Sequence, residues 1–207
     1  MEIKKYAHSL FLTVSLVFLF NNFSFSQKFE TRSVFVKKIN EKINLDGVLD
    51  EKSWDKANAA DDFWQYFPTD SIKSFNKTEI KILYNDTHLF IGGVAFSKSP
   101  NFIVNSLKRD YSSRNNDNIS IIFETFNDGQ NGFLFGVNAY GVLREALVTD
   151  RGTGPGGFNL NWDAKWQAKH KRYDDRFVIE MAIPFSSLKY PEGSKKWGFQ
   201  SYRYDLQ

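Results

Sequence analysis

From Lys28 onward, apolar and polar positions alternate in short runs that are broken by turn residues. "EIKILYND" puts Ile80, Ile82 and Tyr84 on one face, and "LFIGGVAF" follows across Asn85-Asp86-Thr87-His88, the pattern of a hairpin. "ISIIFETF" and "FLFGVNAYG" flank "NDGQNG", a second hairpin with Asp128-Gly129 at its turn. "LREALVTD", "AKWQAKHKR", "RFVIEMAIPF" and "KWGFQSYRYD" complete the series. No helical pattern of ten or more residues separates these runs, so the period of two predicts an all-β chain. The expected form is a two-sheet antiparallel β-sandwich, jelly-roll or immunoglobulin-like, with one or two short helical turns. Those turns are expected near Glu51 to Asn58 and at "PFSSL", where Pro184 can begin one.

The stretch before this pattern obeys a different rule. Lys4 and Lys5 precede an apolar run, Leu10 to Phe20, that is short for a bilayer span, and Ser24-Phe25-Ser26 offers a small-x-small cleavage site. Residues 1–26 are therefore expected to be a signal peptide and 27–207 the exported domain, bound for the periplasm, cell surface or outer membrane. No internal repeat or long linker divides the remainder.

"INLDGVLDEKSWDKA", residues 43–57, holds turn, carboxylate and tryptophan signals together. Asp46-Gly47 is a tight-turn dipeptide, Asp50 stands where it would cap a brief helix, and Trp54 and Ala57 share a helical face that must be buried. A structural corner accounts for all of it. The regular Asp-x-Asp-x-Asp-Gly run of an EF-hand is missing.

Composition narrows the function classes. Aromatic residues make up 17% of the chain, which favours strands, and cysteine is absent, so the fold needs no disulfide. The net charge of +3 is spread without a block of like charges, which excludes a nucleic-acid footprint. Gly152-Thr153-Gly154-Pro155-Gly156-Gly157 matches a dinucleotide-loop glycine pattern, but Pro155 interrupts it and no amphipathic helix follows. With three His, one of them in the leader, and no Gly-x-Ser-x-Gly, the chain has little material for a zinc site or a nucleophilic triad. A hydrolase acting on O-glycosyl bonds would need two carboxylates flanking a cleft, a separation that sequence does not measure.

"INLDGVLDEKSWDKA", "TEIKILYNDTHLFIGG", "LKRD", "DNISIIFETFND", "FLFGVNAYG", "NWDAKWQAK" and "FVIEMAIPFSSLKY" together resemble, in order, the landmarks of family 9 carbohydrate-binding-like domains. They are most similar to the version at the exported N-terminus of large Bacteroidetes-type outer-membrane proteins. The likeness runs from Ile43 to Arg203. It implies a two-sheet sandwich, recognition of a poly- or oligosaccharide in carbohydrate catabolism, calcium as a companion of some sites, and no catalysis by the module itself. It also implies a downstream membrane barrel as partner domain; an appendage of such a barrel that has lost sugar binding is the alternative.

A pyranose offers a C–H face to an aromatic ring, and its hydroxyls need side chains that donate and accept. Three regions have that mixture: Arg109, Asp110, Tyr111, Arg114 and Asp117; Asn161, Trp162, Asp163 and Trp166; and Asn138 on a strand. The resemblance points to Tyr111, Asp117, Asn138 and Glu180 as sugar-contacting positions, with Tyr111 where a tryptophan would make the larger platform. Arg109, Trp162 and Trp166 complete the candidate set. Glu180, mid-strand among apolar neighbours, is equally explained by a buried ion pair with Arg203 or another arginine. Asp117, Glu124 and Asp128 are candidate calcium oxygens or solvated turn residues. Trp54 and Trp197 read as core, whereas Phe63, Trp64, Tyr66 and Phe67 either line a groove or cover a sheet edge.

Overall fold

The computed structural model describes residues 32–207, so the expected signal peptide and its cleavage after Ser26 lie outside the described residues. Val34–Gln207 form one unit. Eight strands form where the alternation predicts them, β3 Thr78–Tyr84, β4 His88–Phe96, β5 Asn118–Glu124, β6 Gly132–Asn138, β7 Leu143–Val148, β9 Gln167–Arg172, β10 Arg176–Pro184 and β11 Gly198–Tyr204, and three two-residue strands, β1 Lys37–Lys38, β2 Ala59–Ala60 and β8 Phe158–Asn159, form where it predicts none. One sheet runs β1-β3-β4-β10-β9, with β2 also on β3; the other runs β11-β5-β6-β7-β8. Pairing is antiparallel throughout except for the two-residue β1, which lies parallel to β3.

The pleat sends alternate residues to opposite faces, and the inward set of both sheets meets in one core. Ile80, Ile82, Ile91, Phe177, Ile179, Met181 and Ile183 face Ile119, Ile121, Phe123, Phe133, Phe135 and Val137. Trp197 packs at the rim of this core against Phe123, Phe185 and Tyr190, in line with its expected core role.

The outward face of the first sheet has its own cover. Trp54, fully buried on helix α1 (Lys52–Asp55), packs with Ile39, Ile43, Leu83 and Phe90. Mid-strand Gly92 makes room for that layer: a Cβ there would lie 2.8 Å from a Leu49 methyl and 3.2 Å from the Trp54 ring. The Asp46-Gly47 corner is real, with Gly47 in the left-handed region at φ 87°.

Its fastenings differ from those expected. Asp50 does not cap the helix; the flanking residue is Glu51, whose carboxylate instead accepts from the Asn44 N–H. Glu41, from the preceding segment, accepts from the Ser53 N–H and hydroxyl. A four-residue helix leaves its first N–H groups to any acceptor within reach, and a carboxylate from a neighbouring segment reached them first. The turn at "PFSSL" is a 3-10 turn, Phe185–Ser187, with Pro184 ending β10 just before it.

Candidate functional site

The seven side chains expected at a sugar site, Arg109, Tyr111, Asp117, Asn138, Trp162, Trp166 and Glu180, do not all converge: Asp117 and Asn138 are neighbours, with Asn118 paired to Asn138 and the Ala139 N–H donating to the Asp117 carbonyl at 2.9 Å, whereas Glu180 is on the other sheet. Glu180 lies on the outward face of the first sheet, where one carboxylate oxygen accepts from the Asp46 and Gly47 N–H groups, both at 3.0 Å. It is thus the clamp that holds the Asp46-Gly47 corner on β10, a role different from both the sugar contact and the arginine ion pair that the sequence left open. Burial pushes its carboxyl up, and the two N–H donors offset part of that shift. Arg203 pairs with Asp205 at 3.1 Å instead.

Asp117 and Asn138 have similar structural work. The two Asp117 oxygens accept from the Ile103 and Leu206 N–H groups, each at 2.7 Å, tying the β4–β5 connection and the last residues to the start of β5. Burial raises its carboxyl also, again against the pull of those donors. Asn138 Oδ1 closes the β6–β7 hairpin by accepting from the Tyr140 and Val142 N–H groups at 3.0 and 2.9 Å. Arg109 spans to the buried Glu145, its Nε at 3.1 Å.

The expectation that Tyr111 and Trp166 present free stacking faces is corrected by their burial, at 3% and 7% exposure. Tyr111 lies beside Arg144 and Tyr202, where burial raises its phenol, and Trp166 sits edge-on to Phe135 at 5.2 Å between centroids. A ring stacks on a sugar only through a face that water can reach, and these rings spend theirs on the protein.

Nor do the three candidate calcium ligands fit an ion. Asp128 is held in its own turn by Gln130 and Asn131, Glu124 accepts from Gln200, and Asp117 is committed as above. Among the described residues no three His, Asp or Glu side chains converge as a metal-holding group.

Trp162 is the exception. Half-buried, it leans on Phe133 and Phe135 with centroids 5.3 and 5.9 Å away, at the rim of the core. There the segment before β9 and the turn after β10 part to leave a cleft of about 650 Å³. Phe126, Phe133, Leu147 and Trp162 supply apolar surface, and Asp163, Lys165, Ser186, Ser187 and Lys189 supply donors and acceptors. The Ser187 hydroxyl donates to the Lys165 carbonyl at 2.7 Å, which fastens the two walls together. The volume falls in the range of small-molecule sites, and the mixture of ring face and polar rim is what a sugar needs. Sequence reading located Trp162 and Asp163 but not Phe126, Ser186, Ser187 or Lys189. Those residues belong to the landmarks "DNISIIFETFND" and "FVIEMAIPFSSLKY", which are far from Trp162 in sequence, and nothing local in either run marks a site.

A second hollow, about 350 Å³, lies on the outward face of the second sheet. Ile122, Gly132 and Val148 form its floor and Glu124, Gln130, Arg151 and Gln200 its sides. It has polar groups but no aromatic ring.

No family model matches the sequence, and no curated protein does. Solved structures do match the fold. A family 9 carbohydrate-binding module from Caldicellulosiruptor kristjanssonii, solved with cellotriose, aligns over 81% of this chain and 74% of its own at 18% identity, with a TM-score of 0.54. The same organism's module with glucose aligns over 82% and 78% at 17% identity, TM-score 0.55. The fold is that of a family 9 carbohydrate-binding module. A Bacteroides uniformis protein whose name assigns it provisionally to carbohydrate binding shares it at 11% identity, over 81% of each chain, with a TM-score of 0.55. At these identities the family 9 likeness is one of architecture: the sandwich is held in common, while the side chains on its surface are this chain's own.

Proposed function

We propose that the protein is a non-catalytic carbohydrate-binding module and that the cleft beside Trp162 holds an oligosaccharide. The observation that carries this reading is the Trp162 ring set into a cleft whose rim offers a carboxylate, two ammonium groups and two hydroxyls. The family 9 fold supports it, since two solved neighbours hold cellotriose and glucose. Binding is favoured over hydrolysis because each hollow is lined by a single carboxylate, Asp163 in one and Glu124 in the other, whereas glycoside hydrolysis uses a pair.

The test is isothermal titration with glucose, cellotriose and a panel of other oligosaccharides. Trp162→Ala is expected to weaken binding about tenfold, equal to about 1.4 kcal/mol. Unchanged affinity in that variant moves the site elsewhere, and no binding by the wild type ends the reading.

A second reading is favoured by one specific observation: Asp117, Asn138 and Glu180 all spend their oxygens on the chain's own backbone N–H groups, which supports a structural module without sugar binding. Under the family resemblance, such a module would be an appendage of an outer-membrane barrel. The leader pattern of Lys4, Lys5, the apolar run and Ser24-Phe25-Ser26 supports a location outside the cytoplasm under either reading, with a part in polysaccharide catabolism under the first. Mass spectrometry of periplasmic or secreted material is expected to find a chain beginning at Gln27. Recovery of the intact Met1 chain from the cytoplasm would remove the localisation.

A further inference from the structure

The connection between β2 and β3 joins two paired strands of the first sheet and is long for that task. Residues 62–75 fold back on themselves as a short antiparallel ribbon: Gln65 N–H donates to the Ile72 carbonyl at 3.0 Å, and Ser74 N–H to the Phe63 carbonyl at 3.1 Å. These bonds flank the Trp64–Lys73 bridge and make it a non-hydrogen-bonded pair, the kind in which opposed side chains stand closest. The register then sets Asp62 opposite Phe75 and Tyr66 opposite Ser71, on the same face as Trp64 and Lys73.

Burial follows that alternation beside the bridge, while Ile72 and Phe67 farther along are also exposed, at 38% and 82%. Phe63, Gln65 and Ser74 on the inner face are part-buried, and Phe63 packs against the main core. On the outer face Trp64, Tyr66 and Phe75 are 49%, 92% and 77% exposed. Three aromatic rings therefore stand on one solvent-facing ribbon, with Trp64 and Tyr66 spaced by about 6.6 Å along their strand, the rise of two residues. Polar groups are interleaved with them: Lys73 and Asp62 pair at 2.7 Å on this same face, and Ser71 lies across from Tyr66. The base is fixed, because Asn76 Nδ2 donates to Asp205 at 2.7 Å and Arg203 Nη1 to the Lys77 carbonyl at 3.3 Å.

We infer that this ribbon is a second glycan-binding surface, a platform on which successive sugar rings of an extended polysaccharide stack. The inference rests on the proposed carbohydrate-binding reading and extends it from a cleft to a chain. Exposed rings alone would fit several partners, but the interleaving selects among them. Immersion in a bilayer would bury the Lys73–Asp62 pair in hydrocarbon, which is unfavourable, whereas sugar hydroxyls donate to the carboxylate and accept from the ammonium. Two separate surfaces on one module make binding of a long polymer tighter than binding of a short oligosaccharide.

Affinity gels containing hydroxyethylcellulose, xylan or mannan measure the polymer, and titration with cellotriose measures the cleft. In the full chain, Trp64→Ala/Tyr66→Ala is expected to weaken retardation by the polymer about tenfold. Cellotriose binding and the unfolding midpoint should not change. Trp162→Ala should lower cellotriose affinity and leave residual polymer binding that the ribbon substitutions then remove. Polymer retardation unaffected by the ribbon substitutions overturns this inference while the cleft reading stands, and failure of the wild type on both cellotriose and every polymer ends both. Loss in the double variant of binding to phosphatidylcholine vesicles, or of a dimer seen by sedimentation, with polymer binding intact, assigns the ribbon to a membrane or to a second copy and likewise overturns it.

Discussion

Trp54→Ala is expected to lower folding stability by about 3 to 5 kcal/mol, the usual result of emptying a buried tryptophan site. The ring is fully buried between α1 and the outward face of the first sheet, and Gly92 has no side chain to fill the space left behind. Trp166→Ala should fall in the same range because Trp166 is buried in the core between the sheets, against Phe135. Tyr111→Ala should also behave as a core truncation. Trp64→Ala gives the contrast: its ring is on the exposed ribbon, and loss of a surface group changes stability by no more than about 0.5 kcal/mol. Denaturant midpoints of the four variants measure this ordering. A Trp54 variant as stable as the Trp64 variant would show that the outer layer is not a packed part of the fold.

Glu180→Ala is expected to cost about 3 kcal/mol, since it leaves two turn N–H groups without their charged acceptor. Glu180→Gln keeps an acceptor oxygen for them and should cost less. The two variants also differ in a readable way from the wild type across pH. Burial raises the Glu180 carboxyl in the folded state, so the folded chain holds this proton more tightly than the unfolded chain does. Its contribution is fully present below the unfolded value of about 4.3 and is lost as pH rises through the higher folded value. Glu180→Gln should therefore show a flatter fall in stability above about pH 4.3 than the wild type. Asp117, raised for the same reason, keeps part of the slope in both proteins. Urea titrations at a series of pH values measure it, and an identical slope with and without Glu180 would show that the carboxyl does not titrate differently on folding.

These two sites show how unevenly the chain could be read. The positions of the eight longer strands, the hairpin turns, the burial of Trp54 and the core contact of Trp197 are local: alternation fixes which residues share a face, and Asp-Gly dipeptides fix where the chain reverses. Each of those features needs only a window of about ten residues, and each was expected from the sequence. The shared family 9 fold was legible too, because its landmarks occur in order along nearly all of the chain past Ile43.

The polar residues were another matter. A carboxylate or amide mid-chain has the same appearance whether it contacts a ligand or a backbone N–H from a distant segment. The partners that decided the matter are far away in sequence: Glu180 meets Asp46 and Gly47, and Asp117 meets Leu206. Trp162 and Trp166, four residues apart in one motif, diverge for the same reason, one reaching the cleft and the other closing the core. By itself the sequence determined the strands, the turns and the all-β architecture, because these follow from short-range stereochemistry and periodic burial. Only the tertiary structure decided which aromatic rings keep a face toward water and which polar atoms remain uncommitted, because both depend on contacts between residues far apart in the chain.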